Sequence, residues 1–390
     1  MLLIAVVGQW ITTGLLVETA LMIRQTRFLS HAGAEQAGPR RLGRNRALQI
    51  WLQPIDATWR LLFWLALILS ESGAETACLI DHLPHGGWLV LAAFVMGDAV
   101  LREPCHWLRQ RLATPDMPTR QRVATHVRLG AIRLCRASAW GLASCVLAVV
   151  ISALPPGLAW PITAGLVALG WLLDQAIAPQ IAAPIKGQHE RLPDGDLRAR
   201  LEAMTESSGA RLTSLWRVRP RGQAQLPAAY FAGLGRRRRI VVSQALLASF
   251  DAQEIESVVA HELAHHRCGH LWRYHGALGL MLVGYIAIGG WALSALAPAL
   301  SPVVILVLLY LLRPLIAWPL APWKNRQRRR YEFEADAFAA TYASRGGLIS
   351  ALETLLAVNP NRAGMDRWYH AFYATHPEGE DRLARLRAMT

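Results

Sequence analysis

Residues 251–265 read Asp251-Ala-Gln-Glu254-Ile255-Glu-Ser-Val258-Val259-Ala-His261-Glu262-Leu263-Ala264-His265. Asp251 followed three residues later by Glu254 is a capping box, in which each side chain takes a backbone N–H of the other's turn. Ile255, Val258 and Val259 recur at helical spacing and supply a buried face. A helix that starts here sets His261 and His265 one turn apart on one face, where both imidazoles can point at one ion. Glu262 lies about 100° round from His261. That is close enough to take a proton from a water beside the ion without displacing it.

A five-residue motif suggests chemistry without deciding it, because a catalytic zinc needs a third protein ligand and an open position. Residues 330–336, Arg330-Tyr331-Glu332-Phe333-Glu334-Ala335-Asp336, offer that ligand. Glu332 and Asp336 are one turn apart on a helix expected to continue through Ala337–Tyr342. Glu332 is expected to complete the set, and Asp336 to orient a histidine through its free ring N–H. The residues thus predict one Zn2+ per chain, held by His261, His265 and Glu332, with Glu262 as the base. His266, His270 and His275 follow the motif as polar neighbours, and His270 is the one expected to support a ligand.

Outward from this site the chain is apolar. Hydrophobic residues make up 53% of the 390 and charged residues 17%, gathered in runs. Seven runs, at about 2–23, 58–80, 86–102, 138–155, 158–178, 276–297 and 302–322, are candidates to cross a bilayer. The chain is apolar from Leu2, with no basic region and no small-residue cleavage site. That predicts an uncleaved membrane helix rather than a signal peptide.

A net charge of +14 would point to nucleic acid in a soluble protein. Here the arginines crowd into the expected loops 24–57 and 103–137, whereas 70–85 carries Glu71, Glu75 and Asp81. The positive-inside bias explains this without a nucleic-acid partner. It places the N-terminus outside and the polar stretches 179–271 and 323–390 in the cytoplasm. The Arg- and Ala-rich composition suggests a bacterial inner membrane. The 15 tryptophans suit interfacial anchoring. Glu18, Asp98, Asp174 and Arg313 fall inside expected spans and should face one another or a wet interior. Five cysteines form no CxxC pair and no even framework.

Four parts follow: residues 1–178 with five transmembrane helices, 179–271 with a small β-hairpin and the HExxH helix, 272–322 as a transmembrane hairpin, and 323–390 as a helical part bearing the third ligand. Within 179–271, Leu192–Gly209 is expected as a helix, and Ala228–Ala232 and Ile240–Gln244 as strands.

His261-Glu262-Leu263-Ala264-His265 paired with Glu332-Phe333-Glu334-Ala335-Asp336 resembles the type I CAAX prenyl endopeptidases and their HtpX-like membrane relatives. Five apolar segments before the HExxH helix and two after it resemble the seven-helix layout of that family. Leu192-Pro-Asp-Gly-Asp-Leu197, Ala229-Tyr230-Phe231-Ala232-Gly233 and His376-Pro377 with Arg382-Leu383 fall where the family has similar words. The likeness covers about residues 180–390 in sequence and the first 180 in topology only. It implies a water-filled chamber with the metal at its cytoplasmic end, and an edge strand at Ala229 and Tyr230 that pairs with substrate. It also sets the His376 turn beside the metal, where His376 and Arg382 could donate to the oxyanion, with Tyr230 next in line. Two departures stand out. Ala228 occupies the place of an expected Asn, which puts one substrate hydrogen bond in doubt, and His266 replaces an aromatic residue.

The expected fold class is mostly α: a polytopic helical membrane protein of about seven spans with a cytoplasmic α+β gluzincin-type metalloprotease domain. The expected activity is a zinc-dependent endopeptidase that acts on a peptide or membrane protein, with the lipid bilayer as its other partner. A quality-control protease is the nearest alternative. A protease module of a signal transducer would need a sizeable outside domain, and the outside loops are short. A dead scaffold conflicts with four intact catalytic positions.

Overall fold

The computed structural model describes residues 15–29, 40–70, 86–113, 117–209, 214–220, 227–232, 239–298, 300–358 and 364–389. The chain divides into two compact units, Met1–Leu172 with Leu278–Leu320, and Leu173–Ala277 with Ala321–Thr390.

The described residues of the first unit form helices and no strand. It contains a helix over residues 15–29 and the helices Arg40–Leu69, Gly86–Leu101, Glu103–Ala113 and Thr119–Ala153. Parts of Pro156–Lys186 and His270–Leu296, and the helix Pro302–Ala317, complete it. The stretches 24–57 and 103–137, expected as loops, are therefore largely helical. Arginine is a good helix former, so a basic stretch between apolar runs has no reason to uncoil. Breaks come where the backbone demands them: Leu154 is extended immediately before Pro155, as a residue preceding proline prefers.

Two helical stretches are long and apolar enough to cross a membrane, Gly157–Ala178 and His270–Leu296. They coincide with the expected spans 158–178 and 276–297. Gly86–Leu101 has 16 residues and rises about 24 Å, short of a hydrocarbon core of about 30 Å. The expected span 302–322 is apolar and helical only over Pro302–Pro314, and the first span, 2–23, lies mostly outside the described residues. Seven crossings are thus not established.

Apolar side chains hold this unit in two clusters: Trp64, Leu91, Phe94, Val303, Val307 and Leu311, and Trp160, Ala164, Ile286, Ile305 and Leu309. Among them sits a charge. Asp98 is 2% exposed and accepts from Arg60 at 2.5 Å, Trp64 Nε1 at 3.3 Å, Arg102 at 2.7 and 3.0 Å, and Tyr310 at 2.6 Å. Arg313 lies over the Tyr310 ring at 5.0 Å. Asp98 therefore faces fixed positive partners. Among the described residues, Cys105, Cys135, Cys145 and Cys268 form no disulfide, and Cys78 lies outside those residues.

The second unit carries a four-stranded sheet: β1 Gly187–Arg191, β2 Ser214–Pro220, β3 Ala229–Ala232 and β4 Arg239–Ser243, in the order β1-β2-β4-β3. β2 and β4 are parallel, and the outer pairs are antiparallel. The expected hairpin is present as β3 and β4, with Tyr230 opposite Val241. β1 and β2 were not legible: Gly-Gln-His-Glu-Arg has no apolar alternation, and in Ser-Leu-Trp-Arg-Val-Arg-Pro the alternation covers only Trp-Arg-Val-Arg, with Leu215 on the arginine face. The helix expected over Leu192–Gly209 starts later, at Asp196, and ends at Ser207. On one face the sheet offers Leu215, Ile240 and Val242 to the helix Ala252–Arg267, whose Ile255, Val259 and Leu263 join the same core. Leu348, Ala351 and Leu352 of the helix Arg345–Val358 and Leu383 and Leu386 of Gly379–Arg387 close it.

Candidate metal centre

The capping box fixes where the HExxH helix begins. Asp251 Oδ1 accepts from Glu254 N at 2.8 Å, and Glu254 Oε2 accepts from Asp251 N at 2.9 Å. Glu254 is buried, and its other oxygen accepts from Ser350 Oγ at 2.5 Å, so the cap also ties two helices together. Ser257 Oγ donates to Gln253 O or Ser344 O, each at 2.9 Å. A Cβ on Gly347 would meet Gln253 O and Ser257 Oγ at 2.8 Å, so a glycine is what permits this approach.

From that start the helix Ala252–Arg267 brings His261 and His265 against Glu332 on the helix Ala321–Tyr342. His261 Nε2 and His265 Nε2 are 3.2 Å apart. Glu332 Oε2 is 3.5 Å from His261 Nε2, and Oε1 is 3.6 Å from His265 Nε2. Ligands at about 2.0–2.2 Å in a tetrahedron lie about 3.3–3.5 Å from one another. The two imidazole nitrogens are spaced as such ligands are, and one Glu332 oxygen lies with them in a group no more than 4.8 Å across. The donor set, two imidazoles and a carboxylate, also suits a borderline metal such as zinc.

The far sides of both rings are occupied. His261 Nδ1 is 2.9 Å from Asp336 Oδ1, and Arg382 holds Asp336 with two bonds, Nη2 to Oδ1 at 2.6 Å and Nε to Oδ2 at 2.8 Å. His265 Nδ1 is 3.1 Å from His270 Nδ1, so His270 stands behind a ring of the triad. His376 Nδ1 is 3.1 Å from Glu332 Oε2. Arg382 Nη1 is 4.0 Å from the same oxygen.

These groups share protons unevenly. Burial works against charge on His261, but bonds to Asp336 and Glu332 outweigh it and push its pKa up to about 9. Burial, then the charge on His261, pushes His265 down to about 4. Burial would raise Glu332, yet bonds from His261 and His376 hold it well below the usual carboxylate range. Glu262 accepts no such bonds, and burial pushes it up.

The sheet supplies the remaining expected residues. β3 is an edge strand, and among the described residues no strand pairs with its outer side. Ala229 packs against the core, and Tyr230 Oη is 2.9 Å from His189 Nε2. Ala228 O accepts from Ser243 N at 2.8 Å, and Ala228 N donates to Ser243 Oγ at 2.9 Å, so its backbone extends the pairing whatever its side chain. His266 stacks on Phe231, with centroids 4.3 Å apart and planes at 28°. It fills the aromatic place that its residue type seemed to leave empty. Sequence reasoning passed over Glu334, whose Oε2 is 3.0 Å from His270 Nε2. Its position between Glu332 and Asp336 on the same helix was the available signal.

An HExxH helix facing a carboxylate from a later helix is the arrangement of a metallopeptidase. The profile of Peptidase family M48 matches residues 191–390, just over half of the 390 residues, and the chain belongs to that family of metalloendopeptidases. It is 28% identical over 229 residues to a CAAX prenyl protease 1 homolog of Oryza sativa subsp. japonica, covering 55% of this chain and 52% of that one. It is 29% identical over 189 residues to Protease HtpX of Thioalkalivibrio sulfidiphilus, covering 42% and 62%. The chain thus spans about half the length of the CAAX-protease relatives it matches. The crystal structure of S. mikatae Ste24p shares the fold, with a TM-score of 0.77 over 98% of both chains at 16% identity.

Proposed function

We propose that this chain is a membrane-embedded zinc endopeptidase that hydrolyses a peptide bond of a peptide or protein substrate at the cytoplasmic side. The observation that carries the reading is the triangle of His261 Nε2, His265 Nε2 and a Glu332 oxygen, all within 4.8 Å of one another. The three would hold the metal, leaving one position open. A bound zinc would supply Lewis acidity towards a carbonyl oxygen and towards water.

The protein's own groups do the rest. Glu262, one residue on from His261, takes a proton from the attacking water on a carboxylate oxygen and passes it to the leaving nitrogen. Asp336, held by Arg382, keeps the His261 proton on Nδ1 and so frees Nε2. His376 engages Glu332 through Nδ1, and as an imidazolium, with both nitrogens protonated, it also donates from Nε2 to the developing oxyanion. Arg382 has Nε and Nη2 committed to Asp336, so only Nη1 remains for a substrate oxygen. Substrate pairs as an added strand along the outer side of β3, beside Ala229 and Tyr230.

Three variants of the purified protein separate these roles. Glu332→Ala should lose zinc. Glu262→Gln should keep zinc and lose about a hundredfold or more in kcat. His376→Ala should keep zinc and lose about a hundredfold to a thousandfold. Zinc content unchanged in Glu332→Ala removes that residue from the ligand set, and full activity in Glu262→Gln removes the base.

A further inference from the structure

The two histidines of the motif are backed differently. His261 rests directly on a carboxylate, whereas His265 rests on another imidazole. That imidazole is brought there by a turn. Cys268 N donates to Ala264 O at 2.8 Å and Gly269 N to His266 O at 3.1 Å, with Gly269 at φ +66°. The chain turns within two residues and brings His270 to the side of the His265 ring. His270 is 3% exposed, and its ring stacks on Tyr331 with planes at 10° and centroids 4.5 Å apart. Tyr331 is the residue immediately before Glu332.

Two ring nitrogens 3.1 Å apart share one proton, and its position decides whether His265 can bind a metal. The other end of His270 settles the matter. Its Nε2 is 3.0 Å from Glu334 Oε2, and an ionised carboxylate only accepts. The proton of His270 therefore sits on Nε2, and its Nδ1 presents a lone pair. The proton between the rings then belongs to His265 Nδ1. His265 Nε2 is left with its lone pair aimed at the seat formed with His261 and Glu332. If Glu334 were absent, His270 could carry its proton on Nδ1 instead. His265 would then accept there and hold its own proton on Nε2, in the seat of the metal.

The plainer account of Glu334 is a surface ion pair with Arg273, whose Nη1 lies 3.1 Å from the same oxygen. Both partners are half exposed, and such pairs contribute about 0–1 kcal/mol. That account leaves unexplained why the same oxygen also bonds a buried ring that touches His265.

We propose that Glu334, acting through His270, sets the tautomer of His265 and so holds Nε2 ready for the metal. Both are positioning residues, and the proposal rests on the zinc reading given above. One helix thereby serves all parts of the site: Glu332 as ligand, Asp336 behind His261, and Glu334 behind His265 at one remove.

The test is zinc affinity of the full-length protein in detergent, measured by competition with a chromophoric chelator. Supporting groups of this kind change metal affinity by about 10- to 100-fold. Glu334→Ala should weaken zinc by that factor. Glu334→Gln, whose amide oxygen still accepts from Nε2, should return to within about threefold of wild type. Arg273→Ala, which removes the ion pair and the guanidinium over the Tyr331 ring but no bond to His270, should match wild type. Circular dichroism of the metal-free variants should be unchanged, since Glu334 lies at the surface. The proposal is overturned if Glu334→Ala binds zinc like wild type, if Glu334→Gln is as weak as Glu334→Ala, or if Arg273→Ala is weakened equally. A wild-type chain that takes up no zinc is a different result, because it removes the zinc reading itself and this proposal with it.

Discussion

His261 shows how much a single residue's surroundings can decide. With its pKa at about 9 in the metal-free protein, it carries a proton at neutral pH that a metal must displace. Metal binding should therefore release about one proton at pH 7, and apparent zinc affinity should rise about tenfold per pH unit until it flattens near pH 9. Calorimetric titration in buffers of different ionisation heat measures this directly, and no proton release at pH 7 would contradict it. The sign for stability runs the other way. A pKa raised from 6.5 to about 9 stabilises the metal-free fold fully below pH 6.5, and that contribution is lost as pH rises through about 9. The two motif histidines were legible as a pair, because helical spacing alone places them on one face. Their different protonation was not, because it depends on Asp336 lying against one ring and His270 against the other.

At the scale of elements, the site depends on a helix with a fixed beginning and a fixed end. Its beginning, the capping box, is written in four consecutive residues and was legible. Its end is the left-handed Gly269. A Cβ there would meet nothing within 4 Å, so Gly269→Ala should cost only the conformational penalty of about 1–2 kcal/mol. Because that turn also delivers His270, the same variant should weaken zinc binding more than its loss of stability explains. Thermal unfolding of the metal-free protein set beside zinc affinity distinguishes the two effects. If zinc affinity is untouched, the turn is a helix stop and nothing more. β1 escaped the sequence reading because a short strand's signal is alternation, and charged residues on both of its faces erase it, while in β2 Leu215 falls on the same face as Arg217 and Arg219. β3 and β4 were found because Ile240-Val-Val is an apolar run that a turn segment precedes.

For the whole molecule, the arginine asymmetry predicts orientation. Reporter fusions at Gly38, Pro118 and Thr390 should read cytoplasmic, and fusions at Gly73 and Pro156 outside. A cytoplasmic signal at Gly73 would remove the second crossing and with it the seven-span arrangement. Asp98 makes a second prediction. Removing it leaves Arg60 and Arg102 beside one another without their shared carboxylate, so Asp98→Ala should destabilise the first unit by about 3 kcal/mol or more. Thermal unfolding in detergent measures it, and an unchanged midpoint would mean the arginines reach solvent. The sequence showed that Asp98 needed partners but not which ones. Arg60 and Tyr310 come from segments 38 residues before it and 212 after it.

What the sequence determined by itself is everything that local spacing encodes: the capped HExxH helix, the ExxxD turn on a second helix, the apolar runs and their basic flanks. Spacing along a helix fixes which side chains share a face, and hydropathy fixes which segments avoid water. Only the tertiary structure decided what stands behind each histidine of the motif. Asp336 and Arg382 reach His261 from two different helices, and Glu334, on the helix of Asp336, reaches His265 through His270. Those are contacts between segments distant in sequence, and no local period records them. They depend on how helices pack, and it is the packing that assigns a proton to one ring nitrogen and a lone pair to the other.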